Sequence, residues 1–301
     1  MQSFEMEWLT QDRYHASRSK LERVMEKEGL SKWADRAQPV ALALLRIVAG
    51  FLLWQHGVQK LFGWFSGRPA PAFGLFWSAG MMESILGVLL TVGVLTRPVA
   101  MILCGEMAVA FFTQHFPRGF WPIQNQGLPA VQFCFVLLLL WTAGPGRFSL
   151  DGLLASNSSA KPGSFTQQSS RLYPVALTLL RLVTAFLVGQ YGVRKMFGWL
   201  GGHKGGILSR QWFAGMLEIS SSPLVVLGVF TRLLASLVSA EMAIAFLASH
   251  FFTGHGYWPV LNGGEPDVLF CFSYLFLCTA GPGWLSIDSL AGRHSKTKST
   301  D

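Results

Sequence analysis

The stretch VALALLRIVAGFLLWQHGVQKLFGWF at residues 40–65 returns as VALTLLRLVTAFLVGQYGVRKMFGWL at residues 175–200. Each copy contains an apolar run close to the roughly 20 residues that carry a helix across about 30 Å of hydrocarbon. Arg46 aligns with Arg181, Gly57 with Gly192, Lys60 with Lys195, and Gly63-Trp64 with Gly198-Trp199, all at one offset. The register continues through Glu83 and Glu218, Thr96-Arg97 and Thr231-Arg232, Glu106-Met107 and Glu241-Met242, and His115 and His250. After two inserted residues, Trp121-Pro122 matches Trp258-Pro259, Asn125 matches Asn262, and Asp151 matches Asp288. A register held over this distance marks a tandem repeat.

Each copy divides into four apolar spans, near 40–65, 78–95, 98–116 and 128–143, then 174–199, 210–230, 232–252 and 266–281. An even number of spans returns each copy to its starting side, so the copies are expected to be parallel. The expected fold is all-α and integral to the membrane, with eight transmembrane helices in two parallel four-helix bundles. The segments are 1–38, an amphipathic cytoplasmic region; 39–153, the first unit; 154–172, a linker; 173–291, the second unit; and 292–301, a basic tail. Ser, Gln and Gly between Ser156 and Ser170 suggest flexibility. Leu21, Val24 and Met25, with Trp33 near the end, suggest a helix that lies on the cytoplasmic surface or equally docks on a partner.

Composition supports the bilayer as solvent, because 51% of the 301 residues are hydrophobic and only 13% are charged. The net charge of +8 lies in terminal and connecting segments, which points to lipid headgroups and topology rather than nucleic acid. No cleavage site follows the first apolar run, so the amino terminus is expected to be retained. Lys20, Arg23, Lys27, Arg97, Arg147, Arg171, Arg232 and the basic tail share one side, which the positive-inside rule makes cytoplasmic. Both termini are therefore expected inside a bacterial-type inner membrane. The opposite side carries Phe62-Gly63-Trp64, Phe120-Trp121-Pro122, Phe197-Gly198-Trp199 and Tyr257-Trp258-Pro259, rings suited to a membrane interface.

The charges inside the spans form the candidate site. Arg46 and Glu106 lie at similar residue counts from Pro39 and Pro98, which predicts an ion pair between the first and third helices, repeated by Arg181 and Glu241. An unpaired charge there would cost at least roughly 2.5–3.5 kcal/mol. Nearer the opposite face, Lys60, Glu83 and His115 are expected together, with Lys195, Glu218 and His250 as the second set. Each set reads either as a structural polar lock or as a site for a polar headgroup or proton exchange. Asn262 and Glu265 in the last outer loop, and the rings of Trp64 and Trp199, complete the lipid or quinone candidates. His56 becomes Tyr191 in the second copy, which argues against paired haem ligands. His250, His255 and Glu265 lack a metal-ligand spacing, so no metal is expected. Cys104, Cys134, Cys271 and Cys278 fall in apolar runs without a CxxC pair and read as small buried hydrophobes. No nucleotide fingerprint or nucleophile elbow is present, and catalysis by this chain alone is not visible.

The combination of Arg46, His56-Gly57-Val58-Gln59-Lys60, Glu83, the Gly93–Arg97 turn, Glu106-Met107, His115 and Gly144-Pro145-Gly146 resembles the DoxX/DoxD family of four-helix membrane proteins. The second copy repeats it with Arg181, Lys195, Glu218, Glu241-Met242, His250, Asn262-Gly263-Gly264-Glu265 and Gly281-Pro282-Gly283. The resemblance implies a subunit of a redox or energy-converting membrane complex, with assembly and lipid or quinone contact as its roles. A thiosulfate:quinone type oxidoreductase subunit is the alternative it implies, and a small-solute transporter is a further reading of the repeats. Other subunits of a complex are the expected partners. The copies depart from each other at His56 against Tyr191 and at Glu265 against Leu128, so they are not expected to be equivalent.

Overall fold

A computed structural model describes residues 2–65, 67–156, 163–252 and 256–289, with residues 2–31 and 156 described by their backbone alone. Every regular element among the described residues is helical. The first half contains α1 (Gln2–Phe62), α2 (Leu75–Val92), α3 (Thr96–Ala110), α4 (Leu128–Ala143) and α5 (Leu150–Ser156). The second contains α6 (Ser164–Arg171), α7 (Tyr173–Phe197), α8 (Arg210–Leu227), α9 (Thr231–Phe246), α10 (Pro259–Asn262) and α11 (Glu265–Ala280). The stretch around Leu21, Val24 and Met25 belongs to α1, and the basic tail lies outside the described residues. Among the described residues, five segments are long and apolar enough to cross a membrane: Lys32–Phe62, Leu75–Val92, Thr96–Arg118, Tyr173–Phe197 and Thr231–Phe251. Helix α4 is apolar but shorter.

Proline and glycine set several boundaries. Pro129, Pro174 and Pro266 occupy first-turn positions, where a missing N–H costs nothing. Gly93 closes α2 at φ +79°, donating to Leu89 O and Leu90 O. A Cβ there would also strike the Arg46 guanidinium, so both backbone and packing require glycine. Leu95 and Phe230 are held in the left-handed region at φ +48° and +50°. The carboxylate of Asp151 accepts from Leu95 N and Thr96 N at 3.0 and 2.9 Å, and Asp288 accepts from Phe230 N and Thr231 N at 3.2 Å each. These remote aspartates satisfy the first N–H groups of α3 and α9, at the positive ends of the helix dipoles.

The halves do not form two separate bundles. Going around the molecule, α1 packs on α2, α2 on α3, α3 on α4, α4 on α7, α7 on α8, α8 on α9, α9 on α11, and α11 back on α1. The longer helices thus close one ring, with α1, α4, α7 and α11 at its centre. A single apolar core draws on both halves, including Leu45, Leu53, Phe133, Leu137, Leu180, Val188, Phe270 and Leu277. The physical reason is that α1, α4, α7 and α11 are apolar on more than one face. Polar contacts cross this core at Gln132, which donates to Thr184 Oγ1 at 3.2 Å and to Ser273 Oγ at 2.9 Å.

The Trp-Pro loops complete this interleaving. Val260 N donates to Gln55 Oε1 at 3.4 Å, and Trp258 packs on Phe51 and Phe65. At the matching place, Ile123 N donates to Gln190 Oε1 at 3.2 Å and Trp121 stacks on Phe186. Each Trp-Pro loop therefore lies over the first long helix of the other half.

Of the segment between the halves read as flexible, residues 157–162 lie outside the described residues. Ser164–Arg171 is helical, and Ser169 and Ser170 accept from Arg97 at 2.6 and 2.9 Å. A half-buried guanidinium with spare donors is what holds this serine-rich segment.

Candidate functional site

The predicted Arg46–Glu106 and Arg181–Glu241 ion pairs are not formed. Arg46 is 1% exposed and donates to Leu90 O and Thr91 O at 2.8 Å each and to Phe148 O at 2.6 Å. Arg181 repeats this with Val226 O at 3.3 Å and with the carbonyls of Pro282 and Leu285. The last carbonyls of α2 and α8 lack intrahelical partners, and a guanidinium at a helix C-terminus satisfies them and the dipole together. Residue counts from a proline give depth but not these competing acceptors. Arg97 caps α4 through Trp141 O and Thr142 O, and Arg232 caps α11 through Cys278 O and Thr279 O. Four arginines thus bind helix ends rather than carboxylates.

The carboxylates gather around the lysines. Lys60 Nζ lies 2.5 Å from Glu83 Oε1, and Glu83 is almost fully buried. Glu106 stands within the electrostatic reach of Lys60 and Glu83, and neither of its buried oxygens has a hydrogen-bond partner. In the second half, Lys195 Nζ is 2.6 Å from Glu218 Oε1 and 3.9 Å from Glu241 Oε1. Both lysines start near the outer ends of α1 and α7, and helical side chains lean toward the N-terminus, which carries their ammonium groups inward.

The two histidines mark corresponding turns. Phe111–His115 and Leu247–Phe251 are π-helical, a widening that often accompanies functional positions. His115 Nδ1 lies 3.1 Å from Asn125 O, and His250 Nδ1 lies 2.7 Å from Asn262 O. Asn125 and Asn262 also staple their own loops: each side-chain oxygen accepts from a glycine N–H, Gly127 at 2.8 Å and Gly264 at 2.9 Å. Asn262 is therefore a loop-forming residue that orients His250. His115 is not within the Lys60–Glu83 contact, whereas His250 Nε2 reaches Asp267 Oδ2 at 3.3 Å.

Glu265 joins the opposite half from the one expected. Both of its oxygens meet His56 Nε2, at 2.7 and 2.8 Å, across the contact of α1 with α11. Two residues that differ between the halves at aligned positions are thus partners. At the equivalent seam stand Tyr191 on α7 and Leu128 on α4, both uncharged. Glu265 in the first turn of α11 also gains from the helix dipole. Among the described residues, no three metal-ligating side chains converge on one point, and His255 lies outside them.

Trp64 and Trp199 are exposed and packed on Phe62 and Phe197, at ring-centroid distances of 5.7 and 5.3 Å. A different aromatic groove, of about 350 Å³, is lined by Phe251, Phe252, Gly256 and Tyr257 beside the turn that carries His250.

Sequence reasoning missed Asp267 and Tyr274. Asp267 follows Glu265 by two residues in a span read as purely apolar, and its counterpart in the first copy is Ala130. Tyr274 is fully buried, its hydroxyl has no partner, and it lies in the field of Glu218 and Glu241; Leu137 is its counterpart. Comparing the two copies for polar residues on one side alone is the signal that finds both.

A multi-pass helical membrane protein with charged pairs buried between its helices is the class these features define. The chain belongs to the DoxX family, whose model matches residues 41–116. It is 32% identical over 121 residues to an uncharacterized protein of Haemophilus influenzae, a match spanning 38% of this chain and 90% of that protein. It is 26% identical over 140 residues to an uncharacterized membrane protein of Mycobacterium tuberculosis, spanning 40% of this chain and 86% of that protein. No solved structure matches the chain.

Proposed function

We propose that this chain is a tandemly duplicated DoxX-type subunit of a redox or energy-converting complex of the inner membrane, acting in assembly with lipid or quinone contact. In this reading residues 39–153 and 173–291 are two units of four transmembrane helices each. Both termini are cytoplasmic. Matched capping arginines, aspartates and Lys–Glu pairs in the two halves support the duplication. So does a relative covered over nine-tenths of its length by only 38% of this chain.

The observation that carries the functional reading is the placement of the second polar cluster. Lys195, Glu218, Glu241 and Asp267 lie inward of His250, whose imidazole meets Asn262 O and Asp267, while the next two residues of the chain, Phe251 and Phe252, line an aromatic groove with Tyr257. A ring held in that groove would meet an aromatic wall carried by the same turn as His250, the apolar lining usual in small-molecule sites. Continuous helices argue against transport by broken spans, since α8 runs unbroken through Pro223.

The test is gentle purification from native membranes, followed by identification of bound proteins and lipids and extraction of quinones. Stable partner subunits with bound quinone or a defined lipid are expected. An isolated monomer carrying none of them would overturn the proposal.

A further inference from the structure

The second cluster differs from the first in a way that lipid or quinone contact does not require. On α11, Asp267, Cys271, Tyr274 and Cys278 recur at helical spacing along one face. The corresponding face of α4 carries Ala130, Cys134, Leu137 and Trp141. Only the second half therefore lines this seam with ionisable oxygen groups.

The three carboxyls of this cluster outnumber Lys195, the lysine in contact with them, and His250 adds a positive charge only when it is protonated. Glu218 on α8, Glu241 on α9 and Asp267 on α11 face Lys195 on α7 and His250 on the π turn. Tyr191 and Arg194 on α7 and Cys271 on α11 complete the titratable surroundings. With all three carboxyls ionised and His250 neutral, an excess negative charge would sit between membrane-embedded helices at a high cost. Three buried carboxylate oxygens, Glu218 Oε2 and both of Glu241, have no hydrogen-bond partner, and the fully buried Tyr274 hydroxyl has none either. These are mostly acceptors without donors. A proton on a carboxyl turns one acceptor into a donor and removes one charge, which corrects both deficits.

A route inward exists as well. The His250 side chain is 26% exposed and contacts Asp267. Asp267 interacts electrostatically with Lys195, itself 25% exposed, which contacts Glu218 and Glu241. Tyr274 lies seven residues past Asp267, on the same face and roughly 10 Å deeper. The groups thus run from a partly exposed imidazole to a sealed hydroxyl.

We propose that the second unit holds an exchangeable-proton site formed by Glu218, Glu241 and Tyr274 and reached from the outer face through His250 and Asp267. This goes beyond the assembly reading and stands or falls apart from it. The Lys60 cluster shares the unpartnered carboxylate oxygens, at Glu83 and Glu106, but its α4 face is apolar and offers no counterpart of Asp267 or Tyr274.

The test uses the full-length protein in lipid nanodiscs and the lipid-soluble reagent dicyclohexylcarbodiimide. The carboxylic O–H adds across the carbodiimide, its proton passing to nitrogen and its oxygen bonding to carbon, and acyl migration then leaves a stable N-acylurea. Ionised carboxylates do not react this way. Peptide mass spectrometry should locate the adduct at Glu218 or Glu241. Labelling should fall about tenfold per pH unit once the site has lost its proton. Asp267→Asn should slow labelling several-fold without moving the adduct, and Tyr274→Phe should lower it at equal pH. Absence of adduct at both glutamates in the unsubstituted, folded protein would overturn the proposal. So would labelling that is independent of pH, or labelling suppressed by sodium or potassium at constant pH, which would mean an alkali cation occupies the site.

Discussion

Replacing Arg46 and Glu106 separately and together distinguishes helix capping from ion pairing. In Arg46→Met the carbonyls of Leu90, Thr91 and Phe148 lose their charged donor. Leu90 O keeps the Gly93 N–H, so two carbonyls are left without a partner. An unsatisfied buried group costs about 1–3 kcal/mol. Because Phe148 lies at an exposed position, water relieves part of that cost, and the expected loss is about 2–4 kcal/mol. Glu106→Gln removes a carboxylate that has no hydrogen-bond partner, so stability should change by less than about 0.5 kcal/mol or rise. The double variant should then equal the sum of the singles within about 0.5 kcal/mol. Equilibrium unfolding in mixed micelles, followed by tryptophan fluorescence, measures all four corners of the cycle. A coupling energy above about 1 kcal/mol between the two sites would refute the capping assignment and restore the ion pair.

Asp151→Ala should cost about 1–2 kcal/mol in the same assay, because Leu95 N and Thr96 N lose their acceptor while Leu95 stays at positive φ, and Asp288→Ala should behave alike. Cys104 and Cys134, with Sγ atoms 3.7 Å apart on α3 and α4, should form an intramolecular disulfide under mild oxidation, read by intact mass. Ser239→Cys should add a second one with Cys271, since the Ser239–Cys271 contact is also 3.7 Å; failure of the second cross-link would contradict the matched packing of the halves. Either His56→Tyr or Glu265→Leu alone should destabilise by about 1–3 kcal/mol, discounted because His56 is partly exposed. Together they reproduce the uncharged Tyr191 and Leu128 combination of the opposite seam and should recover most of that loss; a double variant as weak as the sum of the singles would show that the seams are not comparable.

The apolar spans were legible because twenty-residue hydrophobic runs and glycine or proline boundaries are local properties. The observed α2, α3, α4, α7, α8, α9 and α11 fall on the predicted spans with small shifts at their ends. Lys60 with Glu83 and Lys195 with Glu218 were also placed together by reading, since each joins neighbouring helices near the same face. The capping of α2 by Arg46 was not legible, because main-chain carbonyls carry no sequence signature. The contact of His56 with Glu265 was beyond reach for another reason. Their separation of 209 positions is closed by packing between halves, and the repeat itself suggested that each half would satisfy its own polar groups.

That last contact bears on what the duplication proposed above makes possible. In a two-fold pair of identical units, a residue change at one seam appears at the other, so a His–Glu pair must be built twice or not at all. A single chain removes this constraint. His56 and Glu265 tie α1 to α11, while the matching α7–α4 seam keeps Tyr191 and Leu128. Because Glu265 is taken up by the first half's histidine, the acidic excess of the second cluster comes from Asp267, two residues further on at a position that is Ala130 in the first copy. The seam that became a clasp and the cluster that became charge-rich thus share the first turn of α11. Strain applied there, at Gly264 or Pro266, should disturb both the His56 contact and labelling at Glu241, whereas the matching change at Gly127 or Pro129 should leave Glu241 unaffected.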